Sequence, residues 1–249
     1  MSSCDTGAPV RQCKTSLVIL PGLDGLSALS DAFAESVRPS FESVITIAYP
    51  PDRSLGYGEL EALVRSSLPK ESPYVLLGQS FSGPIAMAIA AGKPAGLIGL
   101  VLSTTFSQSP MPWLSPLAAL TRIAPVRPVP HALLSWLLLG RWATRELDAA
   151  LEASLKVVRP SVLRFRGEAA LTIDVSARSR EISVPVLYLR ASHDRLFARS
   201  VSARVLEGMP HAEVVDVPGP HLLLQASPAG CAGEIAKFAR AAETAIRGG

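Results

Sequence analysis

The chain predicts an α/β fold: a mainly parallel sheet of about six strands flanked by helices, with an inserted helical lid. Three observations carry this. Short apolar, β-branched runs recur along the chain. Most gaps between them are roughly 20 to 30 residues, enough for one crossover helix. One gap is several times longer and has a different composition. Strands buried on both faces read as continuous apolar runs, whereas a sheet wetted on one side alternates.

The first run, Ser16-Leu17-Val18-Ile19-Leu20, stops at Pro21-Gly22, and the second, Val44 to Tyr49, stops at Pro50-Pro51. The third, Tyr74 to Leu77, leads through Gly78 and Ser80 into Pro84 to Ala91, whose alanine-rich sequence reads as helix. The fourth, Leu97 to Leu102, ends at Ser103-Thr104. Val184 to Leu189 forms the fifth, ending near His193-Asp194, and Ala212 to Val217 the sixth, ending at Pro218-Gly219-Pro220-His221. The long gap lies between Leu102 and Val184. It holds Trp113, Trp136 and Trp142, a proline cluster from Pro110 to Pro130, and helical patterns at Ala132–Trp142 and Glu146–Val158. The expected division is a core of residues 15–107 and 172–249, a helical lid over 108–171, and an N-terminal tail of 1–14. Ala232 to Arg247 reads as an amphipathic surface helix.

With 249 residues, 48% hydrophobic and 18% charged, the chain can bury a sizeable core and is not of disordered composition. A formal charge of +3 is too mild for a nucleic-acid binder, and basic residues are not interleaved with aromatics. Cys4, Cys13 and Cys231 make an odd count without metal-ligand spacing, so a disulfide framework is not expected and a reducing cytoplasm is. Met1 to Lys14 lacks the apolar core of a secretory signal. The strongest apolar run, Leu133 to Leu139, is far short of the roughly 20 residues needed to span a bilayer.

The chemistry centres on Gly78-Gln79-Ser80-Phe81-Ser82-Gly83. A serine at a strand-to-helix corner sits on a strained turn that pushes its hydroxyl outward. Small residues two before and two after let strand and helix pass closely. Acyl transfer at such a serine needs a base, a carboxylate to orient the base, and donors for the developing oxyanion. In an open parallel sheet these groups must lie beyond the carboxyl ends of strands. His221 follows the sixth run at that end. His211 precedes the same run, His131 lies in the lid, and His193, beside Asp194, is the rival. Asp194 ends the fifth run, with Asp24 a second candidate acid, whereas Ser103-Thr104-Thr105 offers no carboxylate.

These motifs together resemble the α/β-hydrolases over nearly the whole chain. The serine corner resembles their nucleophile elbow, Val18 to Gly25 their oxyanion loop, and Asp194 and His221 their acid and base, in the chain order Ser, Asp, His. The resemblance implies oxyanion donation from the backbone N–H groups of Leu23 and Phe81. Pro21 replaces a common His, Ser82 replaces the usual second Gly of the elbow, and the two N-terminal antiparallel strands of larger members have no counterpart.

The implied activity is hydrolysis of a carboxylic ester through an acyl-enzyme on Ser80, with no metal or organic cofactor. An acyltransferase and a non-catalytic hydrolase-like protein are the alternatives from other classes. Trp113 and Trp136 are candidate substrate contacts in an apolar lid. From Ser107 to Ile182, ten Lys or Arg face six acids, a balance of +4. That fits either a solvated face or attraction of an acidic partner, such as an ester or thioester on acyl carrier protein. The layout resembles the lidded esterases that cleave the methyl ester of pimeloyl-carrier protein.

Overall fold

In a computed structural model, which describes residues 13–113 and 129–248, six strands form one all-parallel sheet ordered β2-β1-β3-β4-β5-β6. They are β1 (Ser16–Leu20), β2 (Ser43–Thr46), β3 (Tyr74–Gln79), β4 (Leu97–Ser103), β5 (Val186–Ala191) and β6 (Glu213–Val217). Proline sets two of the differences from the expected ends. Pro185 has no N–H to give the ladder and supplies only its carbonyl, to Leu100 N at 2.9 Å, so β5 begins at Val186. At the end of β2, Ile47 N still reaches Ile19 O, but Tyr49 N turns away to Gly25 O at 2.7 Å as the chain approaches Pro50.

The crossovers cover both faces. α1 (Asp31–Val37) and α10 (Pro228–Gly248) pack on one side, where Leu17, Ile19, Val75, Leu77, Leu187 and Leu189 meet Phe33 and Phe238. α2 (Tyr57–Ser67), α3 (Gly83–Ala91) and α8 (Arg199–Glu207) cover the other, where Val18, Leu20, Leu76 and Leu100 meet Leu60, Ile85 and Val205. Alternate residues of the inner strands β1, β3 and β4 thus enter opposite cores, so those runs had to be apolar throughout, whereas the edge strand β6 is largely exposed and carries Glu213 and Asp216.

The long segment between β4 and β5 carries α4 (His131–Leu138), α5 (Arg145–Val157), α6 (Pro160–Thr172) and the short α7 (Ser176–Ser179). The expected single helix over 132–142 is broken at Gly140, whose φ of 55° no right-handed helix accommodates, and a 3₁₀ turn follows. The lid residues Leu114, Leu117, Arg122 and Arg127 lie outside the described residues. A four-residue helix, α9 (Leu223–Ala226), follows His221.

After β1 the chain steps outward to β2, then returns to the far side of β1 as β3. That reversal opens a crevice at the carboxyl ends of β1 and β3, where open α/β sheets place their ligands.

Candidate active site

Two loops meet at the crevice, and the sequence dictates the shape of each. Ser80 follows β3 with φ 47°, a left-handed conformation that costs a non-glycine residue on the order of 1–3 kcal/mol. The turn is tight enough that a Cβ on Gly78 would stand 2.7 Å from Ala86 Cβ, and one on Gly83 would stand 1.9 Å from Thr105 Oγ1. The two flanking glycines are therefore steric requirements. Ser82, in the place of the usual second Gly, is used rather than merely tolerated. Its hydroxyl bonds the carbonyl of Pro21 and lies 2.7 Å from Tyr49 Oη, tying the serine corner to the loop after β1.

Ser80 is half-buried, and its Oγ lies 2.9 Å from His221 Nε2. His221 Nδ1 lies 2.9 Å from Asp194 Oδ2, with the two side chains 2% and 11% exposed. The other Asp194 oxygen accepts from Leu196 N and Phe197 N at 2.9 and 2.8 Å, which fixes the carboxylate before it meets the ring. Phe197 stands edge-on to the imidazole at 4.7 Å. Beneath the site, Gln79 and Gln225 exchange two side-chain amide hydrogen bonds of 2.8 and 3.1 Å, both side chains buried.

His193 turns elsewhere. It is exposed, with Nδ1 2.7 Å from Ser192 Oγ and its ring 5.0 Å from that of Trp142. Asp24 is occupied as well: its Oδ2 accepts from Ser154 Oγ at 2.6 Å and from Leu26 N at 3.3 Å. Burial raises the Asp24 carboxyl above its usual 3.8, while those hydrogen bonds and Arg166 pull it back in part.

The backbone amides of Leu23 and Phe81 have ordered surroundings. The peptide carrying the Leu23 N–H has its carbonyl, Gly22 O, bonded by Gly25 N at 3.1 Å across a turn that needs Gly25 at φ 73°. Phe81 is buried and stacked on Tyr57 at 4.8 Å, and Tyr57 Oη donates to its carbonyl at 3.2 Å. Of the aromatic lid candidates, Trp113 is 72% exposed and Trp136 54%, the latter with the Arg195 guanidinium 4.7 Å from its ring centre.

Arg166, one of the cations in the +4 balance from Ser107 to Ile182, is not on the surface. It is fully buried and reaches from α6 to the carbonyls of Leu23 (3.0 Å), Asp24 (2.7 Å) and Pro50 (3.0 Å). Burial lowers its pKa, opposed by neighbouring Tyr49 and Asp24. No periodicity marks one arginine among the ten cations from Ser107 to Ile182 as internal. α4 is fastened separately, by Leu222 N donating to Leu138 O at 3.0 Å, next to His221. Among the described residues no cluster of His, Cys, Asp or Glu could hold a metal ion, and no helix is long and apolar enough to cross a membrane.

The chain's likeness to known proteins agrees with this architecture. A family model described as "Serine aminopeptidase, S33" matches residues 59–219. Among solved structures, MenH from S. aureus superposes with a TM-score of 0.73 at 17% identity, covering 92% of this chain and 94% of that one. The enol-lactonase from Burkholderia xenovorans LB400 gives 0.72 at 15% identity, with 91% of each chain covered. A lipase-esterase related protein from Clostridium acetobutylicum ATCC 824 gives 0.71 at 17%, covering 90% and 94%. At such identities these structures establish the α/β-hydrolase fold. No curated protein matches the chain.

Proposed function

The chain belongs to the serine aminopeptidase S33 family of α/β-hydrolases, and we propose that within it this protein hydrolyses carboxylic esters through an acyl-enzyme on Ser80. The observation that carries this reading is the unbroken path from Ser80 Oγ through His221 to Asp194, with 2.9 Å at each link.

In this reading His221 Nε2 takes the hydroxyl proton as Ser80 Oγ attacks the acyl carbon. The imidazolium then carries a full charge beside the Asp194 carboxylate, which stabilises it and holds Nδ1 as the donor. Leu23 and Phe81 N–H groups take the oxyanion. Collapse breaks the bond to the alcohol, which leaves with the proton from His221. Water then repeats the sequence on the acyl-enzyme, giving the acid and free Ser80. An aminopeptidase would need a further carboxylate to hold the substrate's ammonium. The two acids singled out from the sequence are both engaged, Asp24 by Ser154 and Leu26, and Asp194 by His221 and two amides. That favours a neutral substrate.

A carrier-bound ester is less well supported. Of the cations from Ser107 to Ile182, Arg166 is buried, Arg178 pairs with Glu61 at 3.1 Å and Lys156 with Glu152 at 2.7 Å, while Arg122 and Arg127 lie outside the described residues. The deciding experiment is a panel of p-nitrophenyl esters of increasing chain length, with methyl-ester, thioester and aminoacyl-amide counterparts. Esters should turn over and aminoacyl amides should not. Preferential amide cleavage would overturn the ester reading, and absence of fluorophosphonate labelling at Ser80 would overturn the nucleophile.

A further inference from the structure

Thr104 and Thr105 follow β4, the strand next to β3, and contribute no group that could react. Their side-chain hydroxyls nonetheless both reach main-chain carbonyls of the site, while Thr104 N continues the sheet to Leu189 O at 3.1 Å. Thr104 is 2% exposed and Thr105 fully buried. Thr105 Oγ1 donates to the carbonyl of Ser80. Thr104 Oγ1 donates to the carbonyl of His221 at 3.0 Å, and Leu223 N takes the other side of that oxygen at 2.8 Å. Tyr188 Oη locks Thr105 in place, donating to its carbonyl at 2.9 Å and accepting from its N–H at 3.2 Å. Two consecutive residues therefore hold the main chain of the serine and the main chain of the histidine.

The backbone at Thr104 shows that this arrangement carries a cost. Its φ is 44°, in the left-handed region, where a β-branched side chain is an outlier. Glycine or asparagine would sit there without that conflict. The left-handed turn sends successive side chains to different partners, one toward His221 and one toward Ser80. What threonine adds over glycine at 104 is a methyl group and the hydroxyl that binds His221.

The Thr105 contact has a consequence one bond further on. In a trans peptide the C=O and N–H point in opposite directions. Thr105, together with the Gly83 N–H that bonds the same oxygen, therefore holds the Ser80 carbonyl so that the N–H of Phe81, on the same peptide, turns to the other side. That N–H is the oxyanion donor of the proposed reaction.

We propose that Thr104 and Thr105 are positioning residues, Thr105 aiming the Phe81 amide at the oxyanion and Thr104 setting His221 over Ser80. The inference rests on the Ser80–His221–Asp194 reading of the site. An ångström of misplacement in such a constellation costs on the order of 100-fold in rate. Thr→Val keeps the shape and removes the donor at either position.

The test measures turnover of a p-nitrophenyl ester, affinity for a trifluoromethyl ketone that forms a tetrahedral adduct on serine, and melting temperature. Thr105→Val should lower kcat about 10- to 100-fold and weaken the ketone by a similar factor, with KM within about 3-fold. Thr104→Val should lower kcat comparably. Thr→Ser at either site should recover most of the loss, because it restores the hydroxyl. Thr104→Gly, which relaxes the backbone and so folds even if the valine variant does not, should be as slow as Thr104→Val with a melting temperature at or above it.

Valine variants that keep half or more of the parental kcat would overturn the proposal. So would a loss that follows the folded fraction alone, or one that serine fails to repair. Ser80→Ala, run alongside, separates the two levels. An active Ser80→Ala protein would sink the site reading itself, whereas an inactive one beside fully active valine variants would sink only the role of the threonines.

Discussion

Replacing Gln79 by Leu tests whether the floor of the site is held by a matched amide pair. The Gln79 and Gln225 amides bond each other through both ends, with the residues 1% and 5% exposed. Leucine at 79 leaves one buried donor and one buried acceptor of Gln225 without partners, at about 1–3 kcal/mol each, while the better transfer of leucine returns part of that. The expected net cost is about 2–4 kcal/mol, or a fall in Tm of about 5–15 °C for a chain of this size. Gln225→Leu should cost a similar amount for the mirrored reason. The double variant removes both partners at once and should cost only about 0–2 kcal/mol, because two apolar side chains of like shape replace the pair. Urea unfolding followed by far-UV circular dichroism gives the four stabilities by linear extrapolation. The double variant should fall short of the summed single effects by at least about 2 kcal/mol. If the single costs simply add, within about 0.5 kcal/mol, the two amides are not coupled and the reasoning fails.

Ser80→Ala should lose about 10⁴-fold or more in ester turnover with an unchanged circular dichroism spectrum, and retention of a tenth of the activity would remove Ser80 from the mechanism. His221→Ala should lose activity by orders of magnitude in the same assay. His193→Ala should lose a few-fold at most, since its ring packs at Trp142 and away from Ser80, and reversed effects would reassign the base. Asp24 supplies a pH prediction. Burial raises its carboxyl pKa above 3.8 in the folded protein, so the native state holds a proton that the unfolded chain releases in that window. Stability from this group is therefore lost as pH rises from 3.8 through the folded value. Asp24→Asn lacks that loss, so its Tm minus the parental Tm should rise between pH 3.5 and 7. A difference that stays flat or falls would mean that Arg166 and Ser154 outweigh burial.

The sheet was legible in the sequence because strands with a core on each face must be apolar at every position, and Val18 and Ile19 enter different cores from adjacent sites. The three residues that line up at the crevice were legible for a related reason: a parallel sheet offers few carboxyl ends, and Ser80, Asp194 and His221 each follow one. The supporting residues were not. Thr104, Thr105 and Arg166 bond main-chain carbonyls, which every residue has, so no residue type or spacing announces the partner. Ser82 looked like a blemish in a motif until Pro21 O and Tyr49 Oη were found within its reach. The break at Gly140 shows the same limit at the level of a helix, where an apolar periodicity runs across a backbone that cannot follow it.

Arg166 also bears on how this scaffold can diversify. A segment that only shaded the crevice could be exchanged between relatives to alter substrate choice. Here α6 supplies the cation that three carbonyls around the loop after β1 depend on, and α5 supplies the Ser154 hydroxyl for Asp24. A transplanted insertion without both groups would strip buried polar atoms of their partners and loosen the loop it was meant only to cover. α4 is different, for none of its side chains is buried. Among the described residues the insertion is thus divided between a part under tight constraint and a part open to drift, and libraries aimed at new substrates belong on His131 to Leu138 with Ser154 and Arg166 left alone.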